Sequence, residues 1–350
     1  MSRFPTPLDC VQNIASYQPG KPIEELAREL SLDPETIVKL ASNENPLGCS
    51  ELVAQEVSRE LSEVARYPDG GGYILKNRLS SKLGIPLDSL ILGNGSNDIL
   101  EMAAIAFLDH DRSAIYSEFC FVVNKLATQT RAAEGIEVRS MSYGHDLERM
   151  YDAIRDDTRI IFISNPNNPT GTFIPPTEIL RFIESVPEHI LVILDEAYYE
   201  YLPENLQSDS VNWIKRFPNL LVTRTFSKIY GLASFRVGYG MANPSLAEVL
   251  NRVRQPFNVN SYGLAAAAAA LSDDAFVRAS VQANNIGMRQ LVSVAEKLEL
   301  AYIPSHGNFL TIEFKQAGIE VYTKLLERGI IVRPLGGYGL PYHLRVSVGL

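Results

Sequence analysis

Between about residue 88 and residue 240 the chain alternates short β-branched or apolar runs with helix-like stretches, and this rhythm constrains the fold more than any other feature. The runs are Leu90–Leu92, Ala114–Tyr116, Ile160–Ile163, Ile190–Leu194, Leu220–Thr223 and Val237–Gly240. Several are apolar on both faces, the mark of strands covered by helices on either side of a mostly parallel sheet. The reading is an α/β protein whose large domain is a doubly wound, mostly parallel sheet.

After Pro244 the pattern changes. Stretches 245–254, 261–271 and 274–299 read as helices, the last with Asp273 and Asp274 at its start. Strand 309–314, helix 319–328, strand 330–332 and strand 344–348 then suggest a smaller α+β domain. Helices are also expected near 23–30 and 50–66. The division is an N-terminal segment, 1–65, belonging to the small domain and a dimer interface; a large α/β domain, 66–250; and interdomain helices with the small domain, 251–350. The small domain is thus built from both chain ends.

Composition narrows the function. Lys plus Arg total 32 against 41 Asp plus Glu, a net charge of −9, which argues against a general binder of nucleic-acid backbones. The apolar share of 46% is ordinary for a globular chain and no apolar run reaches membrane length, so neither disorder nor a membrane partner is expected. The start, Met-Ser-Arg-Phe-Pro-Thr-Pro, lacks the pattern of a secretory signal, and the expected location is cytoplasmic. Cys10, Cys49 and Cys120 form no C-x-x-C and read as reduced, buried thiols. The five histidines show no H-E-x-x-H spacing, so no metal is expected.

Three clusters follow apolar runs directly. Asn165-Pro-Asn-Asn-Pro-Thr-Gly171 is a stiff, non-helical loop at a strand's C-terminal end, where open α/β sheets bind ligands; punctuation of this kind is also common in plain turns. Asp195-Glu-Ala-Tyr198 follows the next run, and Asp195 taken alone serves equally well as a helix cap. Thr225-Phe-Ser-Lys228, with Arg236 eight residues on, places a lysine where solvation is a lysine's usual fate. Sharing one pocket, Asp195, Lys228 and Arg236 offer a carboxylate for a ring nitrogen, an amine for a Schiff base and a guanidinium for a phosphate. Those are the needs of pyridoxal 5′-phosphate. A buried lysine beside cations is pushed toward the neutral amine that this chemistry requires. The glycine-bearing turn Gly93-Asn-Gly-Ser-Asn97 opens a helix whose free N–H groups suit the phosphate.

With these motifs the sequence resembles the fold-type I pyridoxal-phosphate aminotransferases, and among them the histidinol-phosphate aminotransferase group. The resemblance spans nearly the whole chain. It runs from Tyr17-Gln-Pro-Gly20 and Leu40-Ala-Ser-Asn-Glu-Asn-Pro-Leu-Gly48 through Arg66-Tyr-Pro-Asp-Gly-Gly71 and the three clusters to Val332-Arg-Pro-Leu-Gly336 and Leu344-Arg-Val346. It implies that Lys228 is the Schiff-base lysine, that Asp195 pairs the ring nitrogen, and that Asn168 and Tyr198 bond the cofactor's 3′-oxygen. Ser227, Arg236, Gly95, Ser96 and Asn97 match positions at the phosphate, with Tyr67 lent across a homodimer interface. Phe121 matches the ring stacked on the cofactor, without the usual hydroxyl. Arg345 matches the arginine that binds the substrate's anionic end, Arg333 a helper there, and Tyr17 and Asn43 the substrate side. Family members commonly continue for another helix past the position of Leu350, so a trimmed small domain is expected.

The implied reaction converts imidazole-acetol phosphate and L-glutamate to L-histidinol phosphate and 2-oxoglutarate by a ping-pong route, a step of histidine biosynthesis. The partners are then small-molecule substrates and a second copy of the chain. An aromatic amino acid aminotransferase and a phospho-amino-acid decarboxylase keep the cofactor but change the substrate or the bond broken. A cofactor-binding module without turnover is the non-enzymatic alternative, against which intact Lys228, Asp195 and Arg236 argue.

Overall fold

A computed structural model describes residues 5–16 and 20–350. Its centre is a seven-stranded sheet. A two-residue strand β1 (Val38–Lys39) precedes it, and the sheet is made of β2 (Leu90–Gly93), β3 (Ser113–Ser117), β4 (Glu134–Val138), β5 (Thr158–Ser164), β6 (Leu191–Asp195), β7 (Leu220–Thr225) and β8 (Gly238–Ala242). The spatial order is β2-β8-β7-β6-β5-β3-β4. Only β8 runs antiparallel to its neighbours, β2 and β7; the other pairs are parallel.

Both faces of this sheet are buried, and successive residues divide between two cores. Along β5, Ile161 and Ile163 enter one apolar cluster, whereas Ile160 and Phe162 enter the other. Along β6, Val192 and Leu194 go one way and Leu191 and Ile193 the other. This period-two alternation between two apolar faces is why these strands read as unbroken apolar runs.

Strand β4 has no counterpart in the sequence reading. It is an edge strand, mostly exposed, and Glu134, Gly135 and Glu137 break any apolar run. Its pairing with β3, Ile136 opposite Ile115, is what makes it a strand.

The second sheet has the order β12-β13-β10-β9 and is antiparallel, from β9 (Tyr302–Ile303), β10 (Phe309–Glu313), β12 (Arg333–Pro334) and β13 (His343–Ser347). The strand expected over 330–332 ends at Ile331, and a separate short strand follows it. Strand β11 (Ile330–Ile331) pairs in parallel with β1, and the chain then shifts so that Arg333 lies opposite Arg345. That division stitches residues 38–39 from near the start of the chain to the C-terminal sheet.

The helix expected over 50–66 stops earlier, as Glu51–Glu60 followed by a single tight turn, Leu61–Glu63. It sends Val53 into a core cluster of the large sheet, alongside Ala266–Ala270 of helix Ser261–Ala270. This part of the N-terminal segment therefore packs with the large sheet rather than the small one. The thiols also differ from expectation, because Cys120 is buried while Cys10 and Cys49 are only half-buried; all three are free. Among the described residues no helix is long and apolar enough to cross a membrane.

Candidate active site

The C-terminal ends of β5, β6 and β7 form the floor of one cavity of about 190 Å3 between the two sheets. Parallel strands deliver their next residues to the same edge, so three separate motifs converge without any long-range signal in the sequence. Asn168, Asp195, Tyr198, Ser227, Lys228 and Arg236 all line it.

The loop after β5 is held by its own side chains. Asn165 Nδ2 donates to the Ile174 carbonyl at 3.0 Å and its Oδ1 accepts from Ile174 N–H at 2.8 Å. Asn167 Nδ2 donates to the Phe119 carbonyl at 2.8 Å and to Thr170 Oγ1 at 2.9 Å. The Asn165–Pro166 and Asn168–Pro169 bonds are cis. Gly171 has φ +80, and a Cβ there would lie 2.2 Å from Ser305 Oγ, so glycine is required both by backbone and by space. On the far side, Thr311 Oγ1 of β10 donates to the Pro169 carbonyl at 2.6 Å, tying the loop to the small sheet.

Asp195 ends β6, buried, with Thr223 Oγ1 of β7 donating to its Oδ1 at 2.9 Å. Burial pushes its pKa up to about 6, although the Thr223 hydroxyl and the Lys228 charge work against the rise. Lys228 Nζ donates to the Ser42 carbonyl at 3.0 Å. Burial lowers this amine to about 7, with the charges of Arg345 and Arg236 acting in the same direction and Glu44 and Asp195 opposing. At neutral pH a large fraction of Lys228 is therefore an uncharged nucleophile. Tyr198 sits edge-on to Phe309 and accepts from Asn43 Nδ2 at 2.8 Å; burial raises its hydroxyl to about 12, so it keeps its proton.

The anion cradle lies beside them. Helix Ser96–Phe107 begins at Gly95 with no side-chain cap, leaving its first N–H groups available at the cavity edge, where Ser96 and Asn97 line the wall. Gly95 has φ +79, and a Cβ on it would stand 2.6 Å from an Arg236 terminal nitrogen. That close approach is the second reason for the glycine. Arg236 donates to Ser227 Oγ at 3.3 Å and to the Ala233 carbonyl at 3.0 Å, which aims the guanidinium at the helix start.

The roof comes from elsewhere. Ala41, Ser42 and Asn43 cross above Lys228, and Arg333 and Arg345 face each other on β12 and β13. Arg345 donates to the Ala41 carbonyl at 2.7 Å and also to Asn168 Oδ1, so it spans the roof segment and the floor loop. Phe121 lines the cavity just before helix Val122–Thr130.

Of the described residues singled out in the sequence, Gly95 shapes the cradle without lining the cavity, and Tyr67 stands apart from it. Tyr67 is 81% exposed, stacks on Phe257 at 4.7 Å between ring centroids, and does not line the cavity of its own chain. Tyr17 lies outside the described residues. The sequence reading missed Thr223, visible only as a lone hydroxyl at the end of an apolar strand, and Ser42, which acts through its main-chain carbonyl. It also missed Tyr338, which lines the cavity from the turn Gly336–Tyr338.

These residues suit a phosphorylated aromatic carbonyl compound as cofactor. A buried acid waits for a protonated ring nitrogen, a near-neutral amine for a carbonyl carbon, and an uncapped helix with Arg236 for a dianion. The fold and this site define a class, the lysine-dependent transfer enzymes built on a doubly wound sheet.

Comparison with known proteins sharpens the class. Residues 35–350 match the model of the family Aminotransferase class I and II. The chain is 54% identical over 340 residues to histidinol-phosphate aminotransferase 1 of Thiobacillus denitrificans, covering 97% of this chain and 88% of that one. It is 52% identical over 340 residues to histidinol-phosphate aminotransferase 2 of Nitrosospira multiformis, covering 97% and 87%. The crystal structure of histidinol-phosphate aminotransferase from Sinorhizobium meliloti in complex with pyridoxal-5′-phosphate superposes with a TM-score of 0.90 at 24% identity, over 100% of this chain and 94% of that chain, a likeness of fold. The chain belongs to the class I and II aminotransferase family.

Proposed function

We propose that this enzyme is a pyridoxal-phosphate-dependent histidinol-phosphate aminotransferase, moving an amino group from L-glutamate to imidazole-acetol phosphate in histidine biosynthesis. The observation that carries the reading is the meeting of Lys228, Asp195 and Arg236 in one cavity with Arg345 and Arg333 above them. Full-length relatives named for this activity support the substrate.

When bound, the cofactor supplies an electrophilic aldehyde carbon and a ring that takes up the electron pair released from the substrate's α-carbon. The rest is done by the chain. Lys228 holds the cofactor through its amine and, once freed by substrate, is the base that carries the proton off the α-carbon and returns one on the cofactor side. Its lowered pKa suits both directions of that transfer. Asp195, ionised at neutral pH, keeps the ring-nitrogen proton in place. Asn168 and Tyr198 bond the 3′-oxygen. Ser96, Asn97, Ser227 and Arg236 hold the phosphate, with Gly95 shaping the turn, and Phe121 covers one face of the ring. Arg345, helped by Arg333, binds the carboxylate or phosphate end of the substrate, and Asn43 closes that side. Tyr17 belongs to the same substrate side in this reading.

The working unit in this reading is a homodimer in which Tyr67 reaches the phosphate bound by the other copy. The run of exposed apolar side chains at Leu61, Val64, Tyr67, Tyr73 and Ile74 supports such an interface. Sedimentation at micromolar concentration is expected to give a dimer.

The test of the reaction is a titration of cofactor-loaded protein. Histidinol phosphate bleaches the visible band at far lower concentration than phenylalanine does, and 2-oxoglutarate restores it. The reverse order of potency makes this an aromatic aminotransferase, and release of carbon dioxide without need of a keto acid makes it a decarboxylase.

A further inference from the structure

The hydroxyl of Ser347 lies outside the catalytic cavity, yet it is joined to the cavity through a single residue. Ser347 ends β13 opposite Phe309, 3% exposed. Its Oγ accepts the backbone N–H of Asn43 at 2.9 Å and donates its one proton to Asn43 Oδ1 at 2.9 Å. Asn43 Nδ2 then donates to Tyr198 Oη at 2.8 Å. Asn43 is 1% exposed and held at φ 55, and Asn308 Nδ2 fixes its carbonyl at 2.9 Å.

The proton inventory allows one arrangement only. A serine hydroxyl has a single proton, and an amide can present either its oxygen or its NH2 to a neighbour. The Asn43 backbone N–H occupies one acceptor site on Ser347 Oγ, and if the side-chain amide were turned, its NH2 would face the same oxygen and leave the serine proton without an acceptor. The serine therefore selects the orientation with Oδ1 toward itself and NH2 toward Tyr198. Because Tyr198 Oη accepts there, its own O–H is free to donate into the cavity.

We propose that Ser347 is a positioning residue for the transamination site: through the amide of Asn43 it directs the Tyr198 O–H toward the cofactor's 3′-oxygen. This rests on the pyridoxal-phosphate reading above. The device belongs to neither sheet alone, since Ser347 is on the small sheet, Tyr198 follows a strand of the large one, and Asn43 lies between them. The charged and titratable groups around Tyr198 are Arg345 of β13, Asp195 of β6, Tyr338 of the glycine turn, Tyr201 of the turn Tyr199–Tyr201, and Lys228, whose Nζ is 6.0 Å from the Tyr198 ring.

The experiment reads the visible spectrum of pyridoxal-phosphate-loaded protein against pH. A donor to the 3′-oxygen favours its anion, so losing the donor moves the midpoint up. Ser347→Ala is expected to raise the midpoint by about half a unit to one unit, the worth of a single hydrogen bond. It is also expected to lower kcat several-fold with a smaller change in KM. Ser347→Thr, which keeps the hydroxyl, restores both. Asn43→Asp, nearly isosteric but with an acceptor facing Tyr198, shifts the midpoint further than Ser347→Ala, and serves where the alanine variant fails to fold. In a Tyr198→Phe background Ser347→Ala moves the midpoint no further. A midpoint unchanged in Ser347→Ala and Asn43→Asp, or a shift that persists without the Tyr198 hydroxyl, overturns the proposal. Failure of wild-type protein to show any visible band with the cofactor instead removes the functional reading beneath it.

Discussion

The floor and the roof of the cavity are built in opposite ways. The floor is three adjacent strand ends, β5, β6 and β7, and each residue there stands within a few positions of the strand that carries it. The roof is assembled from segments about as far apart as the chain permits: Asn43 and Ser347 are separated by 304 positions and meet at 2.9 Å. Chain connectivity places the floor, whereas hydrogen bonds between distant segments place the roof. The two also differ in electrostatics. The floor contributes Asp195 and Lys228, each driven toward its neutral form by burial, and the roof contributes Arg345, whose charge adds to the pressure on Lys228 as that of Arg236 in the cradle does.

The sharpest way to break that contrast is at the floor. Lys228→Ala removes the one lysine that lines the cavity among the described residues and is expected to lower turnover by about 10⁴-fold or more. Single-turnover bleaching by histidinol phosphate measures it, and a variant retaining a tenth of the wild-type rate would sink the assignment of the base. At the roof, Arg345→Ala is expected to cost roughly 100-fold in kcat/KM, the scale for a charge-assisted anion contact, mostly through KM. Because the same guanidinium ties Ala41 to Asn168, the cofactor-free variant also melts earlier; a kcat effect with KM and melting temperature unchanged contradicts that placement.

A third comparison uses pH. Lys228 has a pKa depressed from 10.5 to about 7, so its charged form is disfavoured in the fold and the neutral amine dominates only above that value. The rate at which cofactor-free protein takes up pyridoxal phosphate is expected to rise about tenfold per unit up to pH 7 and then level off. Stopped-flow absorbance follows it. Below pH 6 protonation of Asp195 weakens retention as well. A rate still climbing toward pH 10 means the amine is an ordinary lysine. The smallest effect is at the joint between floor and roof. Thr311→Val strands the Pro169 carbonyl and is expected to cost about 1 kcal/mol in denaturant unfolding with a few-fold loss of kcat; no change in either shows that the tie does not couple the sheets.

The contrast also explains what could be read from the residues in order. Six of the seven large-sheet strands are buried runs that announce themselves by apolarity, and the polar residue just past such a run is a natural candidate, which is how Asn168, Asp195 and Lys228 are found. Glycine-bearing Gly93-Asn-Gly-Ser96 is legible for the same reason. Strand β4 is not, because an edge strand with two glutamates has no pattern until β3 pairs with it. Arg345, Arg333 and Asn43 were reached only through resemblance, since nothing local distinguishes them from solvated or capping residues. Thr223 and Tyr338 were not reached at all.

By itself the sequence determined the α/β class, the strand ends that carry chemistry and the residue types a phosphorylated carbonyl cofactor needs, because hydrophobic periodicity and turn chemistry are local properties. Only the tertiary structure decided that residues 41–43 cross above Lys228, that residues 330–334 divide between two sheets, and that Ser347, Asn43 and Tyr198 are joined by hydrogen bonds. Those facts depend on which distant main-chain and side-chain groups find each other once water is excluded, and a buried polar group must take whatever partner the packing brings within reach.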